Sequence, residues 1–332
     1  MTWNTLLGHE WAAQLLKQHM VHNAVRHAYL FTGTEGVGRR TLALCFAQAL
    51  HCLYPPAPGE PCGECQICQQ TKRMDMTDLS IVQSEPDSHT IKIEQIRDLQ
   101  HILSLAPYQT RYRVAVLLRF EEATVAAQNA LLKTLEEPPQ KVILLLTADA
   151  AENLLPTIVS RCEVLRLRPL SVERLAEALQ THWGVNNNEA WKLAHLANGR
   201  PGYALRLHQN PQMLKQLHAW GAEMFELLAE SRRARFAYVE KVAKSREELR
   251  PVLVTWLSLW RDVMLAAVST NAPLTNLEFE PQIHRLAETV GWSKARACTV
   301  GLERALAQLE ANVNIRLLVE NILLDWPRLT VG

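Results

Sequence analysis

Residues 29–50, YLFTGTEGVGRRTLALCFAQAL, constrain the fold more than any other stretch, because they read as a buried strand, a glycine loop and a helix. Gly33, Gly36 and Gly38 sit where a phosphate-cradling loop needs them, since backbone N–H groups approach an anion only where no Cβ intervenes. A working phosphate loop has the form G-x-x-x-x-G-K-S/T, whose Lys reaches the β- and γ-phosphates and whose hydroxyl holds Mg2+. Gly33 and Gly38 fit, but Arg39 and Arg40 follow them. A bulky guanidinium fork replaces the compact ammonium, and the metal-holding hydroxyl is gone. Shifting the register to Arg40-Thr41 puts Arg39 in a glycine position, which is worse. The scaffold of a nucleotide site remains without its chemistry, so no bound ATP is expected.

The flanking sequence continues the alternation of strand and helix. Residues 11–24 predict an amphipathic helix with Leu15, Leu16 and Met20 at helical spacing, and residues 28–32 predict the strand that enters the loop. A helix from about residue 40 turns Leu42, Leu44, Phe46 and Leu50 inward, and prolines 55, 56, 58 and 61 break it. A short strand at 79–83 and a helix at 92–105 follow. The runs at 114–118 and 142–146 are apolar without alternation, as in a parallel sheet covered on both faces, and a helix at 125–136 lies between them. A short helix at 156–159 and a strand at 163–167 complete an α/β layered domain over residues 1–168.

The pattern changes after Pro169. Ser171 looks like an N-cap, with Glu173 and Arg174 in the first turn of a helix, and no convincing strand follows. Residues 169–207 read as a small helical lid and 208–332 as an all-α domain, with long helical patterns at 249–268 and 293–324.

Four of the seven cysteines, Cys52, Cys62, Cys65 and Cys68, fall within a Pro/Gly-rich stretch at C-x9-C-x2-C-x2-C spacing. Four thiolates aimed at one centre satisfy tetrahedral zinc, and the reading is a closed, structural site. An iron–sulfur cluster is the alternative, but the ferredoxin run continues x3-C-P where QQTK follows Cys68. Cys45 reads as a core residue and Cys298 as an inert thiol.

A phosphate loop also needs a strand that ends in acids. After residues 114–118 the acids Glu121 and Glu122 come two residues late, and they read as first-turn acids before the next helix. Thr147 reads either as a γ-phosphate sensor or as a strand-end hydroxyl. Arg161, within Ser160-Arg161-Cys162, reads either as an arginine finger or as a salt-bridged surface residue. The tryptophans Trp220, Trp256, Trp260 and Trp326 lie in helical apolar patterns and read as core.

With 35 Lys+Arg against 34 Asp+Glu, the net charge of +1 lacks the basic excess of a protein that grips DNA alone. No apolar run is long enough to span a membrane, and the start MTWNTLLGHE lacks the features of a signal peptide. Seven cysteines in such a chain argue for thiols or metal in the cytoplasm.

NALLKTLEEPP at 129–139, SRC at 160–162, LLGHE at 6–10, RHAYLFTGTEGVG at 26–38 and the four-Cys insert together resemble bacterial DNA polymerase III clamp-loader subunits, members of the AAA+ class. The resemblance covers the first 207 residues well, and NVNIRLLVENILL at 312–324 looks like the family's closing helix. It implies an AAA+ α/β module with a zinc-binding insert at 52–68, a lid, and a C-terminal collar that holds a ring together. The family's branches include an ATP-hydrolysing tau/gamma type and a delta-prime type. The sequence departs from tau/gamma at Arg39, at Arg40, at Leu118-Arg119 and at Gly202, where the lid's nucleotide-sensing Arg is expected. The pattern looks like delta-prime, which the resemblance describes as lacking nucleotide binding while keeping the zinc module and the SRC arginine. The alternative is a tau/gamma-type ATPase. The implied partners are tau/gamma and delta subunits and, through the complex, the sliding clamp and primed DNA.

Overall fold

The computed structural model describes residue 3 and residues 6–85, 88–268, 270, 272–311 and 313–329. Asn312, the first residue of the expected closing-helix motif, lies outside them. Packing divides the chain into two units: Met1–Ala178 with Gly199–Tyr203, and Leu179–Asn198 with Ala204–Gly332. The segment 169–207 is thus shared between the two.

The first unit runs α1 (Glu10–Val21), β1 (Ala28–Thr32), α2 (Arg39–His51), α3 (Gln66–Arg73), β2 (Leu79–Val82), α4 (Ile93–Leu103) and β3 (Arg113–Leu117). It continues with α5 (Val125–Glu136), β4 (Val142–Ala148), α6 (Pro156–Val159) and β5 (Glu163–Arg166). The five strands form one sheet in the order β2-β3-β4-β1-β5, and every pairing is parallel. Both faces are covered, as the unalternating apolar runs require. Tyr29, Phe31, Val114, Val116, Ile143 and Leu145 pack on one face with Ala12 and Leu16 of α1 and Leu42 and Phe46 of α2. Their strand neighbours Leu30, Ala115, Leu117, Leu144 and Leu146 pack on the other with Ile96 and Leu99 of α4 and Leu131 and Leu135 of α5. Thr124 caps α5, its Oγ1 accepting the Ala127 N–H at 3.2 Å, and Pro138-Pro139 stop the helix just past Glu136.

The boundary between the units falls within α7 (Val172–Trp183), where the Ser171 Oγ accepts from the Arg174 N–H at 3.3 Å as an N-cap should. The helices α8 (Asn187–Leu196), α9 (Pro201–Gln209), α10 (Pro211–Ala229), α11 (Arg232–Val242), α12 (Arg246–Ala267), α13 (Glu280–Glu310) and α14 (Ile315–Asp325) follow, and among the described residues no strand does. Trp256 and Trp260 are buried edge-on against Trp326, with ring centroids 4.9 and 5.9 Å apart, so these indoles are core. The fully buried part of the Arg235 guanidinium donates to the carbonyls of Leu227, Leu228, Leu323, Trp326 and Pro327, tying both ends of this core together. The pattern expected to run through 293–324 is two helices. Asn314 starts α14, its Oδ1 accepting from the Arg316 and Leu317 N–H groups, and α13 itself breaks at Gly291 (φ 68°). No described helix is long and apolar enough to cross a membrane.

Candidate functional site

β1 lies between β4 and β5, so the loop at its carboxyl end sits where open α/β sheets bind ligands. That loop is covered by backbone. The Gly36 carbonyl accepts the Gly202 N–H at 2.8 Å, and a Cβ on Gly36 (φ +84°) would stand 2.8 Å from the Tyr203 nitrogen. A Cβ on Gly202 would stand 3.0 Å from the Gly36 oxygen. At position 202, where the resemblance led to the expectation of an arginine, the backbone rests directly on the loop.

Arg39 and Arg40 part company at the start of α2. Arg40 is exposed, and its Nη2 lies 3.2 Å from the Met74 sulfur. Arg39 is only 7% exposed and turns inward, Nη1 3.9 Å from Glu121 Oε1. Burial lowers the Arg39 pKa and raises that of Glu121, so desolvation outweighs their mutual attraction at this distance. Thr41 follows on α2 and is half-buried.

The placement of Glu121 corrects the sequence expectation. Arg119 adopts a left-handed turn (φ 51°), and residues 120–122 form a separate 3-10 turn ahead of α5. Phe120 is driven into the core, and Glu121 is left facing Arg39 rather than serving as a first-turn acid. Thr147 is a strand-end hydroxyl, its buried Oγ1 accepting the Arg119 N–H at 2.9 Å. His9, from LLGHE, supports the loop from beneath: its Nε2 lies 2.9 Å from the Val37 carbonyl, and burial lowers its pKa. Neither contact is marked by local sequence, because each joins segments remote along the chain.

The four insert cysteines come together as their spacing predicts, with sulfurs all within 4.8 Å of one another. Cys62 Sγ and Cys68 Sγ are 3.9 Å apart, close to the ~3.8 Å edge of a tetrahedron with Zn–S bonds of about 2.3 Å. Three backbone N–H groups point at sulfurs: Cys62 at Cys52, Cys65 at Cys62 and Cys68 at Cys65, at 3.3–3.4 Å. Such donors favour thiolate. The backbone bond from Cys65 leads in bringing the Cys62 thiol down to about 6, while burial pushes Cys52 and Cys68 up. A bound cation would relieve that division, so the donor set fits a metal ion. Cys45 and Cys298 are buried and are not members of the group of four.

Arg161 lies just past α6, and its side chain is 34% exposed. Nη1 donates to the Thr157 carbonyl at 2.9 Å, and Nη2 donates to Glu136 Oε1 at 2.8 Å. The Ser160 hydroxyl donates to the Thr157 carbonyl, and burial pushes the Cys162 thiol up to about 12. Arg161 precedes β5, whose Glu163 is level with Tyr29, and Glu136 precedes β4. In a parallel sheet both therefore lie at the amino ends of the strands, and the glycine loop lies at the carboxyl ends. The intervening strand from Tyr29 to Gly33 is roughly 13 Å at about 3.3 Å per residue, longer than an arginine side chain.

A family profile described as "DNA polymerase III, delta subunit" matches residues 8–171. The chain is 33% identical over 313 residues to the DNA polymerase III subunit delta' of Pseudomonas aeruginosa, an overlap covering 91% of this chain and 92% of that one. It is 27% identical over 315 residues to the delta' subunit of Bacillus subtilis, 94% of each. Similarity to the tau subunit of Escherichia coli, at 34% over 179 residues, covers 54% of this chain and 27% of that protein. The delta' likeness thus runs through both structural units, and with it the chain belongs to the delta-prime family of DNA polymerase III clamp-loader subunits.

Proposed function

We propose that this chain is a non-hydrolysing clamp-loader subunit that presents Arg161 to the ATP of a neighbouring tau/gamma subunit. The carrying observation is the opposite fate of its two ends of sheet. The phosphate loop is covered by Gly202 and its Arg39 is paired with Glu121, while Arg161 stands half-buried at the far end, out of reach of its own loop. A guanidinium so placed acts in trans, where an arginine finger is worth about 10³–10⁵ in rate at the site it serves. Tau/gamma and delta subunits are the direct partners in this reading, and the sliding clamp and primed DNA are reached through the complex in the cytoplasm. Residues 208–332 are the collar.

Replacing Arg161 with Ala tests the reading. The reconstituted loader assembles, and its ATP turnover falls to that of the sites Arg161 does not serve; full turnover overturns the finger. We assign the cysteine cluster to structural zinc, which ties the start of α3 to the end of α2. Metal analysis of the purified chain gives one zinc under this assignment, and iron in its place contradicts it.

A further inference from the structure

We propose that Glu136 is a positioning residue for Arg161, holding the guanidinium on the rim in the orientation from which it engages a neighbour's phosphates. The inference rests on the finger reading above. Arg161 is anchored at three points: Nη2 donates to the Glu136 carboxylate at 2.8 Å, and Nη1 donates to the Thr157 carbonyl of α6 at 2.9 Å and to the Ser160 hydroxyl at 3.4 Å. Anchors on both terminal nitrogens fix the plane of a guanidinium, which has five N–H donors, so part of the fork stays free for phosphate oxygens. Without the carboxylate, a long side chain pivots about the Thr157 bond and loses rotamer freedom at each encounter.

Folding stability does not account for the pair. Its side chains are 34% and 51% exposed, where an ion pair contributes little after solvent screening. Glu136 also ends α5, and helix carboxyl ends favour cations over acids. An acid in that position works against its own helix, while the abrupt stop at Pro138-Pro139 holds it beside Arg161. Positioning of a reacting group, by contrast, is sensitive to small displacements.

The test uses the reconstituted loader with Glu136→Ala, Glu136→Gln, Arg161→Ala and the double variant Glu136→Ala/Arg161→Ala. Glu136→Ala removes about half or more of the turnover that Arg161→Ala removes. Glu136→Gln recovers most of that loss, because its amide oxygen still accepts from Nη2. In the Arg161→Ala background Glu136→Ala has no further effect, and the isolated variants melt with the parent. A slowed Arg161→Ala loader beside an unchanged or faster Glu136→Ala loader overturns the positioning role alone. So does a Glu136→Ala loss that persists without Arg161. Full turnover in Arg161→Ala overturns the finger and this proposal together.

Discussion

Arg39 and Arg161 are the same residue type at opposite ends of one sheet, and their surroundings differ. Arg39 stands where a phosphate loop has its lysine, yet it is buried against Glu121 beneath a loop covered by Gly202. Arg161 is at the other end of the strands, half-buried and held by the Glu136 carboxylate, the Thr157 carbonyl and the Ser160 hydroxyl. Both arginines have a carboxylate partner within the chain, but the Arg39–Glu121 pair is shut away from solvent while the Arg161–Glu136 pair is open to it on the rim. On the proposed reading, a nucleotide-site scaffold is retained for its packing, while the chemistry is carried by a residue that the scaffold cannot reach.

The comparison breaks most cleanly through a pair of alanine variants. Arg161→Ala carries the largest effect on the neighbour's ATP turnover but changes the stability of the isolated chain by less than about 0.5 kcal/mol, as a surface substitution does. Arg39→Ala reverses the pattern. It leaves Glu121 buried with only the more distant charge of Arg119 and costs about 3 kcal/mol in urea unfolding, and Glu121→Gln in the same chain recovers much of it. Equal effects of the two alanines on stability would erase the distinction.

Gly36→Ala sharpens the claim that the loop is covered. Its φ of +84° and the 2.8 Å approach to the Tyr203 nitrogen leave no room for a methyl group, and the expected loss is about 2 kcal/mol in the same unfolding measurement. A neutral outcome would mean that residues 199–203 do not rest on the loop. The smallest effect concerns His9. Burial lowers its folded pKa below the usual 6.5, and its Nδ1 is buried without a partner, so the folded state prefers the neutral ring. The unfolded chain then binds the proton more readily, and the stability that His9 contributes is present above pH 6.5 and lost as pH falls through that range. His9→Gln flattens the fall in stability between pH 7 and 5; an unchanged slope contradicts the assignment.

Much of this architecture is legible in the sequence, and the exceptions share a cause. The bounds of β1 and α5 are those expected, because a buried parallel strand is an unbroken apolar run and α5 carries both an N-cap threonine and a Pro-Pro stop. The cysteine cluster is legible because its geometry is set by spacing within one short segment. The partners of Arg39 and Arg161 are not, since each pair joins residues far apart in the chain. The turn that aims Glu121 depends on a left-handed arginine, Arg119, which no local signal marks. The break ahead of Asn314 was likewise hidden under a continuous helical pattern of apolar residues at 293–324. In SRC the motif marks Arg161 as the residue of interest, but only the fold shows that it lies beyond the reach of its own glycine loop.

Equilibrium binding of labelled ATP with Mg2+ to the isolated chain tests the central claim most directly. A loop covered by Gly202 and filled by the Arg39–Glu121 pair predicts no saturable binding up to millimolar nucleotide. Micromolar, Mg2+-dependent affinity would contradict it.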